Sequence, residues 1–299
     1  MTESHSGRIL NEIKNFKIID CKSCGFIHIS PIPTNSELLE LYQKEFFQHI
    51  KPNDIKKDES ELDYWNITYD EKLKILEKHL NSNTKKILDI GCGAGFFLKR
   101  AMNNDWDTTG IEPSDEAADY ANSLGIKVIK QFFQNLTSND LETYDSIHMR
   151  LVLEHSSSPE EIIKKCYSLL NKNGILIVEV PNDYNPLQKI VKTVLQKDEY
   201  WLHPPIHINY FTFSSLRNLL EKNRFNVIHQ DTTFPLELFL LMGNDYIQNE
   251  SLGKQKHIER MNLEINLNKG NSDLKQELYS KLAELNLGRT IILYARKIN

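Results

Sequence analysis

The sequence predicts an α/β fold built on a seven-stranded, mostly parallel sheet with helices on both faces. Two observations lead to this prediction. From residue 85 onward, short apolar segments alternate with segments whose apolar residues have helical spacing, and such β-α-β repetition is typical of parallel sheets covered by helices. A glycine-rich turn also joins a buried apolar segment directly to a helical one, as in proteins that bind ligands at the carboxyl edge of an open sheet.

The individual elements follow from composition and spacing. Strands are predicted where short apolar segments occur, at residues 86–90, 108–112, 127–129, 144–149, 174–180, 225–230 and 290–295. Helices are predicted between them, over residues 96–103, 116–124, 160–170 and 214–222. Pro159 before the third of these helices and Asn173-Gly174 after it match the usual start and stop signals of helices.

An N-terminal extension, residues 1–68, is predicted to precede the main domain. It begins with a short polar segment that contains Cys21-x-x-Cys24, and a helix is expected over residues 35–47. The charged run that follows (KPNDIKKDESELD) reads as a loop or a solvated linker.

Residues 69–299 form the predicted main domain. An insertion at about residues 235–287 separates its last two strands. Leucines in the second half of this insertion have helical spacing, at Leu274, Leu278, Leu282 and Leu285. This segment is therefore expected to pack as a helix against the domain or against a partner subunit.

Composition and charge restrict the class of protein. Hydrophobic residues make up 40% of the chain and charged residues 26%, with a formal net charge of −5, so neither nucleic acid nor an anionic membrane is expected as a partner. No apolar run has the length of a signal peptide or of a membrane span. With only four cysteines, a disulfide scaffold is not expected, and the predicted location is the cytoplasm.

The strongest motif is the segment Ile87-Leu-Asp-Ile-Gly-Cys-Gly-Ala-Gly95, which leads directly into a helix. Glycines let the backbone turn sharply and let a ligand approach the peptide groups. A dinucleotide fingerprint requires G-x-G-x-x-G, but Phe96 stands where its third glycine would be. The motif is instead an acid, Asp89, followed by three alternating glycines.

A second acid supports a nucleoside ligand. Glu112 ends the next predicted strand, roughly 20 residues after the turn, where a carboxylate can accept hydrogen bonds from ribose hydroxyls. Pro113 follows it directly. The same arrangement also binds nicotinamide dinucleotides, so Glu112 alone does not identify which nucleoside-containing cofactor is bound.

Together these segments resemble the class I S-adenosylmethionine-dependent methyltransferases. Two later stretches, residues 144–155 (ending Leu-Glu-His) and 170–180, resemble the fourth and fifth strands of that family. The resemblance implies a Rossmann-like fold with an antiparallel last strand, S-adenosylmethionine as cofactor, and contact of Asp89 with the methionine amino group. It implies a cofactor site made of Asp89, Gly91, Cys92, Gly93, Gly95, Glu112, Pro113, Phe132, Phe133 and Arg150.

One departure concerns the adenine. Gln131-Phe-Phe-Gln134 stands where many members of the family carry an acid that meets the adenine amino group. Adenine contact is therefore expected from phenylalanine stacking or from backbone groups.

The catalytic candidates are His207, Tyr210 and His155. Methyl transfer depends mainly on alignment, and a general base is needed only where the acceptor must lose a proton. Residues 200–211 concentrate histidines and aromatic residues after the fifth strand of the family pattern, which makes this segment a candidate acceptor pocket or a rigid connection. His148, inside a predicted strand, is expected to pack in the core.

Cys21-x-x-Cys24 is half of a zinc site. Structural zinc takes four ligands, and only His5 and His28 are available nearby, with a spacing that is not a standard one. The prediction is therefore that no metal is bound, with the zinc site as the alternative.

The predicted function is transfer of a methyl group from S-adenosylmethionine to oxygen or carbon of a small or carrier-linked polar acceptor. Resemblance to methyltransferases that begin with a Cys-x-x-Cys pair implies a sugar or a cell-envelope or secondary-metabolite intermediate as the acceptor. The alternatives are a quinone-type aromatic O-methyltransferase, an NAD-dependent oxidoreductase and a catalytically silent scaffold. A small-molecule acceptor is the expected partner, and a homodimer is left open.

Overall fold

A computed structural model describes residues 5–34, 37–38, 54–80, 84–137 and 140–298. The chain divides into two compact units, each assembled from separate segments. The hairpin unit comprises residues 1–32, 180–218 and 230–292, and the sheet unit comprises residues 33–179, 219–229 and 293–299. The helix predicted over residues 35–47 falls, apart from residues 37 and 38, outside the described residues.

The described strands, in chain order, are β1 (Gly7–Ile13), β2 (Phe16–Cys21), β3 (Ile27–Ser30), β4 (Lys86–Ile90), β5 (Asp107–Ile111), β6 (Lys127–Ile129), β7 (Tyr144–Arg150), β8 (Leu170–Pro181), β9 (Asn209–Tyr210), β10 (Phe225–Thr232) and β11 (Thr290–Lys297). The described helices are α1 (Asp54–Ser60), α2 (Leu62–His79), α3 (Phe96–Met102), α4 (Asp115–Ser123), α5 (Pro159–Leu169), α6 (Pro186–Leu195), α7 (Phe213–Lys222), α8 (Glu237–Leu241) and α9 (Glu250–Glu284).

The larger sheet has seven strands in the order β10-β11-β8-β7-β4-β5-β6. Strand β4 pairs in parallel with β5 and with β7. The pairs β5–β6 and β7–β8 are also parallel. The last strand is antiparallel. The predicted fold class is confirmed.

The central strands are buried because they are covered on both faces. Ile87, Leu88 and Ile90 of β4 are at most 1% exposed, and β7 is buried at every position except its last. Parallel strands covered by helices on both sides read as continuous apolar runs, which is why the sequence identified them. The carboxyl ends of parallel strands lie at one edge, where the turns after β4, β5 and β7 meet.

The charged stretch before α2 corrects one prediction. It was expected to be a loop or linker, but residues 54–60 form helix α1, and α2 begins at Leu62. Lysine and glutamate have high intrinsic helix propensity, so a polar run with little apolar spacing can still be helical. The prediction of a loop is wrong for this part of the run.

The smaller sheet lies in the hairpin unit and has the order β1-β2-β3-β9, with antiparallel pairing throughout. Sequence reasoning read its first three strands as a polar lead-in. Strand β1 has no buried position, so it lacks the apolar alternation that marks a half-buried strand. Only its pairing with β2 makes it a strand.

Helix α9 occupies most of the segment that was predicted as an insertion. Its backbone leaves the helical region at Asn271 (φ −164°, ψ 97°), and the Asn271 side chain accepts a hydrogen bond from the Leu274 amide at 3.0 Å. The helix thus restarts with its own N-cap. Leu274 and Leu278 are 55% and 44% exposed, and a homodimer stays a prediction.

Among the described helices, none combines the length and the apolar character needed to cross a bilayer.

Candidate cofactor and acceptor sites

The glycine-rich turn connects β4 to α3 in the sheet unit. Gly91, Gly93 and Gly95 all have positive φ, at 72°, 53° and 78°. A Cβ on Gly95 would lie 2.8 Å from the Cβ of Ala121, so glycine permits close packing of α3 against α4. A Cβ on Gly93 would meet no heavy atom within 4 Å. Gly93 therefore supplies the left-handed backbone while leaving the space beside the turn clear for a ligand.

Glu112 follows β5 and fixes the shape of this turn. Its Oε2 accepts a hydrogen bond from the Gly93 amide at 2.9 Å, and its Oε1 accepts one from the Ser114 amide at the same distance. The side chain is buried, with 7% exposure. Each carboxylate oxygen has further acceptor capacity, so Glu112 can hold the turn and still receive ribose hydroxyls.

A series of buried ionisable side chains, linked by short contacts, begins at Asp89. His148 Nδ1 lies 2.7 Å from Asp89 Oδ1, and Lys72 Nζ lies 3.2 Å from His148 Nε2 and 2.6 Å from Glu179 Oε2. Burial lowers the pKa of His148, against the opposite effect of Asp89. The imidazole is therefore neutral, so Nδ1–H donates to Asp89 and Nε2 accepts from the Lys72 ammonium.

Glu179 at the other end of this series is fully ionised. Burial raises its pKa, but Lys72 and Arg150 outweigh burial and lower the pKa to about 2. Arg150 Nε donates to Glu179 Oε1 at 3.3 Å. The neutral His148 thus links the anionic Asp89 to an alternating series of Lys72, Glu179 and Arg150, which keeps Asp89 in one orientation. His148, predicted as core packing, is buried in the sheet and also orients Asp89.

Helix α2 lines the same region with aromatic rings. The guanidinium of Arg150 lies 4.8 Å from the centre of the Trp65 ring, and Trp65 stacks on Tyr69 at 6.3 Å. Tyr69 in turn contacts Phe97 of α3 at 5.6 Å. Sequence analysis did not single out these aromatic residues or Lys72. Their spacing on one face of α2 was the available signal.

Cys92 and Pro113, two more of the predicted cofactor residues, lie next to the glycine turn and Glu112. The Cys92 amide donates to the Ile111 carbonyl at 3.1 Å, and a Cβ on Gly110 would lie only 2.5 Å from Cys92 Sγ. The thiol is therefore packed against β5, and burial raises its pKa. Pro113 is half-buried directly after Glu112.

The two phenylalanines differ in their surroundings. Phe133 is 4% exposed, and Lys165 Nζ lies 4.3 Å from its ring centre. Phe132 is half-buried. Of the two rings, Phe132 is the more accessible to an adenine.

His155 ends a short 3₁₀ helix (Leu153–His155) directly after β7. Its Nε2 lies 3.8 Å from Oε1 of the buried Glu154. Like the cofactor residues, His155 belongs to the sheet unit.

The hairpin unit contains a second polar group of residues, the Asp183 cluster, defined as Asp183, Tyr184, Tyr210, Glu237 and Arg289. Within the described part of the chain, neither carboxylate oxygen of Asp183 accepts a hydrogen bond of ordinary geometry, although the residue is only 1% exposed and Gln188 and Arg289 lie close enough to lower its pKa. The nearest cation is Arg289, with Nη1 3.6 Å from Asp183 Oδ1. The buried hydroxyl of Tyr184 also has no hydrogen-bond partner among the described residues, and the hydroxyl of Tyr210 lies near the His203 backbone without a hydrogen bond of ordinary geometry.

The environment of Asp183 changes its ionisation. Burial raises its pKa to about 7; Glu237 adds to the rise and Arg289 opposes it. Burial followed by the charge of Asp183 raises the pKa of Tyr210 as well. The cluster is therefore electrostatically coupled, and it holds a carboxyl group that titrates near neutral pH.

His207 lies beside the cluster. Its ring centre is 6.5 Å from that of Tyr210 and 5.5 Å from that of His203, whose carbonyl accepts from the His207 amide at 2.9 Å. Tyr184 contacts Tyr210 and the buried Trp201, with ring centres 6.4 Å and 5.6 Å away. The structure thus brings the predicted residues His207 and Tyr210 together.

Sequence reasoning missed Asp183, Glu237 and Arg289. Asp183 stands just after β8 in the segment Pro181-Asn-Asp-Tyr-Asn-Pro186, whose residue types are also those of ordinary turns. Glu237 begins α8 in an otherwise apolar segment, and it is 0% exposed. Burial of a carboxylate depends on the tertiary fold and leaves no local sequence signal.

Cys21, Cys24, His5 and His28 also lie together in the hairpin unit, at the turn between β2 and β3. Neither cysteine forms a disulfide.

Comparison with known proteins identifies the family. A model of the methyltransferase domain matches residues 64–230, which is more than half of the chain. The chain belongs to this family. The predicted relationship to the class I S-adenosylmethionine-dependent methyltransferases is confirmed, and the glycine turn is that of a methyltransferase rather than of a nicotinamide-dependent oxidoreductase.

Curated relatives match a shorter region. A ubiquinone biosynthesis O-methyltransferase of Actinobacillus pleuropneumoniae serotype 7 (strain AP76) is 34% identical over 108 residues, covering 33% of this chain and 46% of the relative. The enzyme of the same name from Histophilus somni (strain 2336) is 30% identical over 122 residues, covering 37% and 51%. The chain spans about half the length of the curated relatives it matches.

Solved structures share the fold at low identity. Magnesium protoporphyrin IX methyltransferase from Synechocystis PCC 6803, with bound S-adenosylhomocysteine, matches with a TM-score of 0.53 at 14% identity, covering 88% of this chain and 100% of that one. A plantazolicin methyltransferase matches with a TM-score of 0.53 at 18% identity, covering 88% and 98%. At such identities the likeness concerns the fold.

Proposed function

We propose that this chain is an O-methyltransferase that moves the methyl group of S-adenosylmethionine to a hydroxyl oxygen of a small or carrier-linked polar acceptor. The cofactor is held by the sheet unit, and the acceptor is held by the Asp183 cluster and His207. The observation that carries the acceptor assignment is the set of buried polar atoms without partners in this cluster. Such groups are costly to bury, and an acceptor with several hydroxyl groups satisfies them.

The residues of the sheet unit fit the proposed cofactor. The clear space at Gly93 admits a ligand against the backbone, Glu112 suits the ribose hydroxyls, and Asp89 suits the methionine ammonium. Phe132 suits an adenine ring. When bound, S-adenosylmethionine supplies an activated methyl group, so the chain itself has to align the acceptor and exclude water.

Asp183 suits the role of general base. A base works best when its pKa lies near the working pH, and burial raises the pKa of Asp183 to about 7. We propose that the Asp183 carboxylate accepts the proton of the acceptor hydroxyl. Arg289 and the hydroxyls of Tyr184 and Tyr210 orient the other polar groups of the acceptor. His207 is the second candidate for the base, and His155 remains a candidate in the sheet unit.

Calorimetry tests the cofactor assignment. We expect the purified chain to bind S-adenosylmethionine and S-adenosylhomocysteine and not NAD. Gly93→Ala places a Cβ in the clear space and strains a positive φ, so it is expected to weaken cofactor binding by about 100-fold, equivalent to about 2.7 kcal/mol. Gly125→Ala is the matched control, because Gly125 has φ 86° and a Cβ there also meets nothing within 4 Å.

Two results would count against the cofactor assignment. One is a folded chain that binds neither nucleoside, and the other is equal cofactor affinity in the Gly93 and Gly125 variants.

Acceptor screening with labelled S-adenosylmethionine tests the acceptor assignment. A panel of sugars, carrier-linked sugars and dihydroxy-aromatic compounds includes the quinone-type acceptors suggested by the curated relatives. With any acceptor found, Asp183→Asn is expected to lower kcat by about 10²- to 10⁴-fold and to leave cofactor affinity unchanged. Comparison with His207→Asn identifies the base, because only loss of the base removes the rise of kcat with pH through about 7. An unchanged kcat in Asp183→Asn would contradict the assignment.

A further inference from the structure

Four potential metal ligands converge in the hairpin unit. One ligand atom from each of His5, Cys21, Cys24 and His28 lies within 4.8 Å of all the others. His5 Nδ1 is 3.2 Å from His28 Nε2, 3.3 Å from Cys24 Sγ and 3.9 Å from Cys21 Sγ. Zinc bonds of about 2.0–2.3 Å in a tetrahedron place ligand atoms about 3.3–3.8 Å apart. The three separations from His5 lie within about 0.1 Å of this range, and the other ligand atoms are at most 4.8 Å apart.

The backbone around the cluster explains why the ligands meet. Cys21 ends β2, and the Gly25 amide donates to the Cys21 carbonyl at 3.0 Å across the Cys-x-x-Cys-Gly turn, where Gly25 has φ 76°. His28 is on β3, which pairs with β2. The start of β1 pairs Gly7 with Cys21 and so brings His5 to the same turn. The four side chains are separated in the sequence as H-x₁₅-C-x₂-C-x₃-H, but the strand pairing brings them together in space.

His28 is oriented as a metal ligand. It is completely buried, and its Nδ1 lies 2.7 Å from the carbonyl oxygen of Ile29. The proton is therefore on Nδ1, and Nε2 presents a lone pair to the cluster. Metal-bound histidines characteristically donate their other ring N–H to such a partner, which fixes the tautomer and the ring orientation.

We propose that His5, Cys21, Cys24 and His28 form a tetrahedral, structural zinc site. The donor set of two thiolates and two imidazoles suits zinc. All four positions come from the protein, which leaves no open coordination position for a water or a substrate, so the site is structural. The metal ties β1, β2 and β3 together next to β9, because Ile27 pairs with Tyr210 and His28 with Asn209. This revises the prediction from sequence that no metal is bound.

Metal analysis of the full chain tests the proposal. The protein is purified with added zinc, freed of excess metal and analysed by mass spectrometry, and we expect about one zinc per chain. Cobalt in place of zinc is expected to give the visible absorption of tetrahedral Co²⁺ together with a thiolate charge-transfer band. Cys24→Ser and His5→Asn are each expected to lower zinc affinity by at least about 100-fold in competition with a chelator, more than loss of an outer partner does.

The controls separate loss of a ligand from loss of the fold. Lys22→Ala lies in the same turn and removes no ligand, so it is expected to keep its zinc. His5 is exposed, so His5→Asn keeps the test valid even if Cys24→Ser does not fold. The proposal is overturned if the folded wild-type chain holds no zinc, or if both ligand variants bind zinc as tightly as the wild type.

Discussion

The two units differ in how closely their buried carboxylates are partnered. In the sheet unit, Asp89 is paired with His148 at 2.7 Å, and Lys72 is paired with Glu179 at 2.6 Å. In the hairpin unit, the Asp183 carboxylate accepts no hydrogen bond of ordinary geometry from the described residues, and its nearest cation is 3.6 Å away. Both carboxylates are almost completely buried, at 3% and 1% exposure. The difference therefore lies in the partners and not in the depth of burial.

This difference agrees with the proposed assignment of the cofactor to one unit and of the acceptor to the other. A paired network fixes side chains before the ligand arrives, which suits a cofactor that is the same in every turnover. Buried polar atoms without partners reduce stability and call for an explanation, and a bound acceptor supplies one. Stability–activity trade-offs of this kind are common at functional sites. Substitutions in each unit can therefore test the contrast between buried groups that are hydrogen-bonded and buried groups that are not.

The largest effect is expected from Asp183→Asn on stability. The pKa of Asp183 is raised in the folded chain, so ionisation opposes folding. The free energy of unfolding that is lost through ionisation of Asp183 is zero below the unfolded pKa of about 3.9. The loss grows as the pH rises to about 7 and is then constant. A shift from 3.8 to about 7 corresponds to a cost on the order of 4 kcal/mol above pH 7. Urea unfolding is therefore expected to show the variant more stable than the wild type at pH 8 and nearly equal at pH 4.

Asp198→Asn provides the control for this measurement, because Asp198 is exposed in the same unit. Its effect is expected to be small at both pH values. A stability difference for Asp183→Asn that is the same at pH 4 and pH 8 would show that Asp183 is not a buried carboxyl group with a raised pKa.

The next effect is expected from breaking the paired network. Lys72→Met leaves Glu179 buried with Arg150 as its remaining cation, so we expect a loss of roughly 3 kcal/mol at pH 7. Lys85→Met breaks a lysine–glutamate pair of similar length, 2.8 Å to Glu77, whose side chains are 39% and 42% exposed. That loss is expected to be at most about 1 kcal/mol.

The pH dependence of Lys72→Met has a defined sign. The pKa of Glu179 is lowered to about 2 in the folded chain, so its pairing adds stability above the unfolded pKa and loses it as the pH falls toward 2. The gap between wild type and variant is therefore expected to narrow in acid. If Lys72→Met and Lys85→Met lost the same free energy of unfolding at pH 7, there would be no basis for calling the buried network around Glu179 preorganised.

The sequence was informative where the signal is local. The glycine turn, Asp89 and Glu112 lie within two short segments, and the apolar runs around Ile87 and Ile147 mark strands that are buried on both faces. These features depend on residues that are neighbours in the chain. The sheet unit could therefore be predicted, including its strand positions and the family.

The sequence was uninformative where contacts join distant residues. Lys72 reaches His148 across 76 positions and Glu179 across 107, and no spacing rule covers such separations. The same reason applies to Asp183 and Arg289. His5 and His28 were recognised as the available partners of the cysteine pair, but only the pairing of β1, β2 and β3 shows that their nitrogen atoms approach within 3.2 Å.

The smallest expected effect gives the sharpest test of the difference between the two units, because the predicted changes in the free energy of unfolding have opposite signs. Tyr184→Phe removes a buried hydroxyl without a partner among the described residues, so we expect a gain of about 1 kcal/mol in the free energy of unfolding. Ser146→Ala removes a buried hydroxyl that donates to the Ile175 carbonyl at 3.1 Å, so we expect a loss of about 1 kcal/mol. Urea unfolding of both variants measures the two changes. Opposite signs support a hairpin unit that keeps unsatisfied groups for its acceptor, whereas a loss in both variants would mean that Tyr184 contributes to packing like any other buried side chain.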